Sequence, residues 1–395
     1  MFIQVHSLRD YAVALPNRGQ DGLAKRAPYG GVERQRISSQ SIKAAMRDAD
    51  DLVRTGADGT LVPDQLADLA RQLGLETSVR SALIGDRLIH PDLVKAGLPE
   101  DEATAWTDAL MGLWRKEGAP AADDTPLVVG RQECRALVEA ALAMREAELK
   151  PNVPKEIRPL FEKATALRKA PEKVQKAITA LRAVKAHAGI DGAMFGRMAT
   201  GVGVYNVDSA VHVAHALTVH AIQSVSDFFS VQDQLKDLDG DDRGGSHINT
   251  SELTSGLFYG YLVIDLRQLR ENFAELAEAQ RAQLSAWVVR AFAQAEPAAK
   301  RGSTAPYAGL RECVVEIGRR QPRTLMGAFE VPVEAVGGRS LSDIARERLR
   351  AGFEEMDGLC GPPGWRSWLR DHIGGPVPAI ERLAIVAGDQ LCADK

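Results

Sequence analysis

Only four cysteines occur in the 395 residues, Cys134, Cys313, Cys360 and Cys392, and no two of them form a C-x-x-C pair. That spacing encodes neither a zinc ribbon nor a disulfide framework, and buried free thiols are the plain reading. No segment approaches the ~18 uninterrupted apolar residues that a membrane span requires. The opening "MFIQVHSLRD" is too short and too polar for a signal h-region. There is no internal repeat and no low-complexity tract. Hydrophobic and charged contents of 45% and 26% are ordinary for a globular protein. Together these point to a soluble, cytoplasmic chain, long enough for one large domain or two to three smaller ones.

Recognisable chemistry is also scarce. "TGVGVYN" lacks the lysine of a P-loop and the third glycine of a dinucleotide site, so it reads as a close-approach turn. His212, His215 and His220 cluster in "VDSAVHVAHALTVHAI". In a strand, parity puts His215 on the face opposite His212 and His220, which disfavours a shared metal. No Ser/His/Asp or Cys/His arrangement stands out, so no catalytic residue, metal or cofactor is assigned.

What is present is segregated charge. The net charge is −4, yet residues 1–47 carry eight lysines and arginines against three acids, and residues 150–185 carry ten against three. Such local excess permits an anionic partner on an acidic whole. The first window ends in "GGVERQRISSQSIKAAMR". Ile42, Ala45, Met46, Ala49 and Val53 recur at helical spacing, with Ser38 or Ser39 available as N-cap. Gln40, Lys43 and Arg47 share one stripe of that helix. Two readings remain open from pattern alone. One is a capped surface helix with solvated charges; the other is a phosphate platform in which helix N–H groups and the hydroxyls of Ser38, Ser39 and Ser41 join the basic stripe.

Around this segment, "FIQVHSL" reads as a first strand, and residues 60–185 read as several helices broken at "KEGAPAADDTP" and "KPNVPKEIRP". An alternating segment over 207–221, an Asp/Gly-rich excursion and a strong strand in "GLFYGYLVIDL" follow. Further strands are predicted at "ECVVEIG" and "ERLAIVAG", with a helix between Leu266 and Ala295. The sum is a mixed α+β chain with a helical insertion.

Four collinear blocks carry a resemblance: "GGVERQRISSQSIKAAMR", "FGRMATGVGVYNVDSAVHVAHALTVHAIQSVSDFFSVQDQL", "GGSHINTSELTSGLFYGYLVIDLRQLRENF" and "EPAAKRGSTAPY". They resemble the CasC family, the CRISPR-associated Cascade backbone proteins of type I-E and members of the RAMP superfamily. The resemblance implies an RRM-like (ferredoxin-like) palm over residues 1–58, 190–223 and 253–395. It also implies a helical fingers insertion over 59–189 and a long β-hairpin thumb over 224–252. About six copies would form a head-to-tail helical filament on one CRISPR RNA, in antiviral defence, with target DNA and the other Cascade subunits (large, small, 5′-handle-binding and repeat-processing) as partners.

Carried over position by position, the guide-backbone contacts fall on Lys25, Gln40, Lys43 and Arg47, with Ser38 and Arg197 as further RNA-binding positions, Met198 at the kink of the guide, and Lys300 and Arg301, with Arg319, Arg320 and Arg323, as added palm contacts. The thumb wedge falls on Phe228, Phe229 and Ser230. With seven acids against Lys236 and Arg243, the thumb window cannot attract RNA by charge, so wedging and contact with a neighbour are its expected means. A DNA-attracting role falls on the second basic window as a whole rather than on single residues; the window holds Lys155, Arg158, Lys163, Arg168, Lys169, Lys173 and Lys176. Holding the guide by its backbone leaves the bases free to pair.

The resemblance implies a noncatalytic scaffold. Related type III subunits that cut target RNA offer an enzymatic alternative, because they use an acidic residue in the loop before this helix, where Asp21 stands with Glu33 nearby. A metabolic α/β enzyme, or an interaction protein using the basic windows otherwise, would purify without RNA.

Overall fold

In the computed structural model, β1 (Phe2–Ala14) is buried on both faces from Ile3 to Arg9. The structure describes residues 1–47, 54–55, 61–62, 65–114, 126–152, 156–183, 185–199, 201, 206–231, 247–297, 299–307, 309–374 and 377–393. The chain divides into two units: residues 1–60, 213–263 and 285–395, and residues 61–212 with 264–284.

In the first unit β1 is joined by β2 (Arg26–Tyr29), β3 (Val32–Ile37), β4 (Ala216–Thr218), β5 (Gln223–Val231), β6 (His247–Asp265), β7 (Gly309–Gly318) and β8 (Trp365–Trp368). The sheet runs β8-β7-β1-β6-β4-β3-β2, with β5 paired to β6. Antiparallel pairing joins β1 to β7 from Phe2↔Gly318 to Asp10↔Gly309, with a register shift after Leu8. The last long strand thus lies beside the first.

Strand parity sends successive side chains of β1 into two layers. Leu8 joins Tyr259, Val314 and Phe329 under α5 (Leu341–Cys360), whose Leu349 and Phe353 complete that cluster. On the other face Ser7 and Tyr11, with Ile42 and Phe292, line a small cavity of about 30 Å³. The β2–β3 turn needs Gly30, at φ +61°, because a Cβ there would lie 1.7 Å from the Glu330 carbonyl oxygen. Arg34 sits fully buried beside it and donates to the carbonyls of Tyr29, Thr218, Phe329 and Glu330.

β5 and β6 form a hairpin in register from Gln223↔Ser255 to Val231↔His247. Residues 232–246, with Lys236 and Arg243, lie outside the described residues.

The second unit is chiefly helical. α2 (Glu100–Trp114), α3 (Arg131–Glu146) and α4 (Glu172–Ala183) supply Trp106, Leu110, Trp114, Leu137, Met144, Val174 and Ile178 to one apolar core.

The mixed α+β architecture with its antiparallel sheet is the fold class expected from sequence. Two local expectations are corrected. "ERLAIVAG" lies in a helix, Ala379–Ala393, because Leu383, Ala384, Ala387 and Leu391 are buried at spacings of one, three and four while Ile385 faces solvent. The segment 207–221 is two short strands, Val211–Val213 and Ala216–Thr218, interrupted where His215 turns to the start of α1 (Ser39–Arg47).

Candidate nucleic-acid interface

α1 buries Ile42, Ala45 and Met46, and its opposite side carries Gln40, Lys43 and Arg47. Gln40 is exposed, whereas Lys43 and Arg47 are half-buried. Burial first, and then the neighbouring Arg47 charge, holds the Lys43 ammonium below the usual lysine range.

The start of the helix is closed by the chain itself. Ser38 Oγ accepts from Ser41 N–H at 3.3 Å, Asn17 Oδ1 accepts from Ser38 N–H at 3.0 Å, and His215 Nδ1 accepts from Ser39 N–H at 3.0 Å. Two N–H groups that the phosphate-platform reading requires are therefore occupied, and Ser38 is buried as an N-cap. The positive charge of this surface therefore comes from its side chains rather than from an open helix terminus.

Lys25 is held between two anchored neighbours. Ala24 N–H donates to Glu252 Oε2 at 2.6 Å, and the Arg26 guanidinium pairs with Glu252 and, at 3.3 Å, with Glu33. The Lys25 backbone donates to Asn17 O and accepts from Arg36 N–H at 2.8 Å. This fixes the loop against the β3 end from which α1 departs. Lys25 and Arg36 enter no ion pair among the described residues. Burial, then Arg36, then Lys25 push the exposed His215 imidazole below its usual pKa.

The remaining residues singled out in the sequence are placed as follows. Lys300, at φ 58°, starts the single turn Arg301–Thr304, which an antiparallel bridge between Leu15 and Ala299 attaches to the end of β1. Arg197 has a side chain 6% exposed and makes a two-pronged pair with Glu133 at 2.5 and 2.9 Å. Met198 beside it is 86% exposed. Phe228 is 65% exposed on the hairpin, and only the backbone of Phe229 and Ser230 is described.

In the second basic window Lys163, Arg168, Lys169, Lys173 and Lys176 are exposed, while Lys155 lies outside the described residues. Lys173 pairs with Glu146 and Lys176 with Glu172. Arg158 is buried, donating to Gly112 O at 3.0 Å and pairing with Glu162. Arg323 is likewise used internally, between Glu316 and Asp357, and Arg320 donates to Cys360 O. Asp21 is exposed and its carboxylate accepts from Leu23 N–H.

Sequence reasoning missed three supporting residues, Asn17, His215 and Glu252. Each acts on α1 or the Lys25 loop from a distant stretch of chain, and only the odd parity of His215 hinted at a separate place for it.

Fold and surface define a class: a mixed α+β protein whose sheet unit carries a cationic helix face fed by a pinned loop. The chain belongs to the family of CT1975-like proteins, whose profile matches residues 3–384. No curated protein matches it. Among solved structures it resembles a chain of a "CRISPR RNA-guided surveillance complex, pre-nicking", with TM-score 0.72 and 22% identity over 99% of this chain and 100% of that one. A chain from a second "CRISPR RNA-guided surveillance complex" gives TM-score 0.59 and 21% identity over 93% and 91%.

Proposed function

We propose that this protein is an RNA-holding backbone subunit of a Cascade-type CRISPR surveillance complex. The observation that carries this reading is the end-to-end correspondence with a surveillance-complex chain, coupled to the family match over residues 3–384. In the finer reading, drawn from the motif resemblance, the subunit is CasC-like, repeats along one guide as a filament, and holds RNA without cutting it.

The chemistry supports a backbone grip. Lys25, Lys43 and Arg47 supply charge for phosphates and Gln40 a neutral donor and acceptor for sugar or phosphate oxygens, none of which needs a base edge. Lys163, Arg168 and Lys169, exposed and outside any ion pair among the described residues, suit long-range attraction of target DNA. Lys173 and Lys176 join them less strongly, each having a carboxylate partner. Arg197 and Arg158 act by holding structure in place.

The test is co-expression with neighbouring genes and a CRISPR array, followed by sequencing of the copurifying nucleic acid and measurement of particle mass. Protected CRISPR RNA in a multi-subunit particle is the expected result; a nucleic-acid-free monomer overturns the reading. Lys43→Glu combined with Arg47→Glu should reduce retained RNA at least tenfold, since reversing two phosphate-facing charges removes several ion contacts. The monomer should keep its circular dichroism, and unchanged RNA content would defeat this assignment of the grip. Cleavage of guide-complementary RNA that disappears in Asp21→Ala would replace the noncatalytic reading with the enzymatic one.

A further inference from the structure

His215 stands where the loop, β3 and α1 meet. Its side chain is exposed, and its Nδ1 lies 3.0 Å from Ser39 N–H. A ring nitrogen that accepts from an N–H carries a lone pair, so in the neutral imidazole the proton sits on Nε2. Among the described residues no hydrogen bond engages that Nε2. The charged groups that act on the ring are Arg36 and Lys25, both cations. Burial first, and then these cations, disfavour the imidazolium and keep the ring in the form the Ser39 contact requires. The result is an N–H donor on an exposed side chain, held by its own cap bond, in the field of two positive side chains. The complement of such a group is an oxygen-rich anionic strand.

We propose that His215 is a further guide-contacting residue, whose neutral Nε2–H, oriented by the Ser39 contact, donates to a backbone oxygen of the RNA strand held by Lys25, Lys43 and Arg47. The proposal rests on the RNA-holding reading above and adds a second duty to a residue that otherwise only caps α1. The two duties separate chemically. In His215→Asn the side-chain oxygen takes the place of Nδ1, so the cap survives and the distal donor is lost. In His215→Gln the amide nitrogen reaches the place of Nε2, so a donor survives and the cap is lost.

The experiment measures affinity of the full chain for a mixed-sequence single-stranded RNA, and thermal stability, for the wild type, both variants and the Lys43→Glu/Arg47→Glu control. If His215 donates to RNA, His215→Asn binds about tenfold more weakly at unchanged melting temperature, the effect of one hydrogen bond to a charged acceptor. His215→Gln then stays within about twofold of wild type in affinity although it melts lower. The opposite ranking, with His215→Asn binding as wild type, overturns the proposal and leaves His215 a cap. If the control loses RNA in that case, the RNA-holding surface stands and His215 alone falls. If the control also binds as wild type, the assignment of the surface fails and the proposal fails with it.

Discussion

Burial decides the protonation state of single residues here, and two histidines make that measurable. His6 is fully buried, with Nδ1 2.9 Å from the Tyr259 hydroxyl, whose oxygen in turn accepts from Leu325 N–H. His220 uses both nitrogens as a neutral ring, donating from Nδ1 to Ala221 O and accepting Leu257 N–H at Nε2. Desolvation holds both rings below the ordinary value of 6.5, in His6 against the opposing pull of Glu316. The unfolded chain takes up these protons near pH 6.5 while the folded chain does not. Stability is therefore fully present above that pH and declines as pH falls from it toward the depressed folded values. Urea midpoints recorded from pH 7.5 down to 5 should show this fall, and a flat profile would contradict the neutral assignment. At the same scale, arginine count misleads: Arg34, Arg158, Arg197 and Arg323 are basic in sequence but are used inside the fold.

Among the elements, the segment after the helix Ile190–Phe195 shows how an internal ion pair supports an exposed side chain. Arg197 and Glu133 neutralise each other in a buried site, and the Arg197 backbone bridges to Val207. Removing one partner leaves the other charged and unsolvated, so Arg197→Ala should lower stability by about 3–5 kcal/mol. Met198→Ala, at an exposed position, should change it by no more than ~0.5 kcal/mol. Denaturant titration of both variants tests the contrast. Equal, small effects would mean that the pair is not buried as described. The loop holding Lys25 follows the same logic, since Glu252 on β6 anchors the residues on either side of it.

For the whole molecule, the proposed role requires copies to meet along a strand of RNA, and the hairpin offers apolar side chains that the monomer leaves in solvent. Val225 and Phe228 are 57% and 65% exposed on β5. Phe228→Asp should leave the melting temperature within about 2 °C, because little burial is lost. The yield of the RNA-bound particle should fall severalfold, as seen in its mass distribution. Full assembly by this variant would remove Phe228 from any contact with RNA or a neighbouring copy.

Several features were legible in the sequence because they depend on neighbours in the chain. Period-two and period-three-to-four patterns are enough for β1 and α1, helix-favouring composition for the helical middle, local sequence narrows the cap to Ser38 or Ser39, and the Gln40, Lys43, Arg47 stripe follows from helical spacing alone. "ERLAIVAG" failed because a short apolar run rich in branched residues fits either period, and burial chose the helix. Tertiary structure alone decided which cations are available. Packing withdrew Arg34, Arg158, Arg197 and Arg323 into the interior, where desolvation compels each to find an acceptor. It also brought His215 onto Ser39 and Glu252 onto the Lys25 loop across 176 and 228 residues of chain. No periodicity encodes such contacts, because they depend on which strands of the sheet lie side by side.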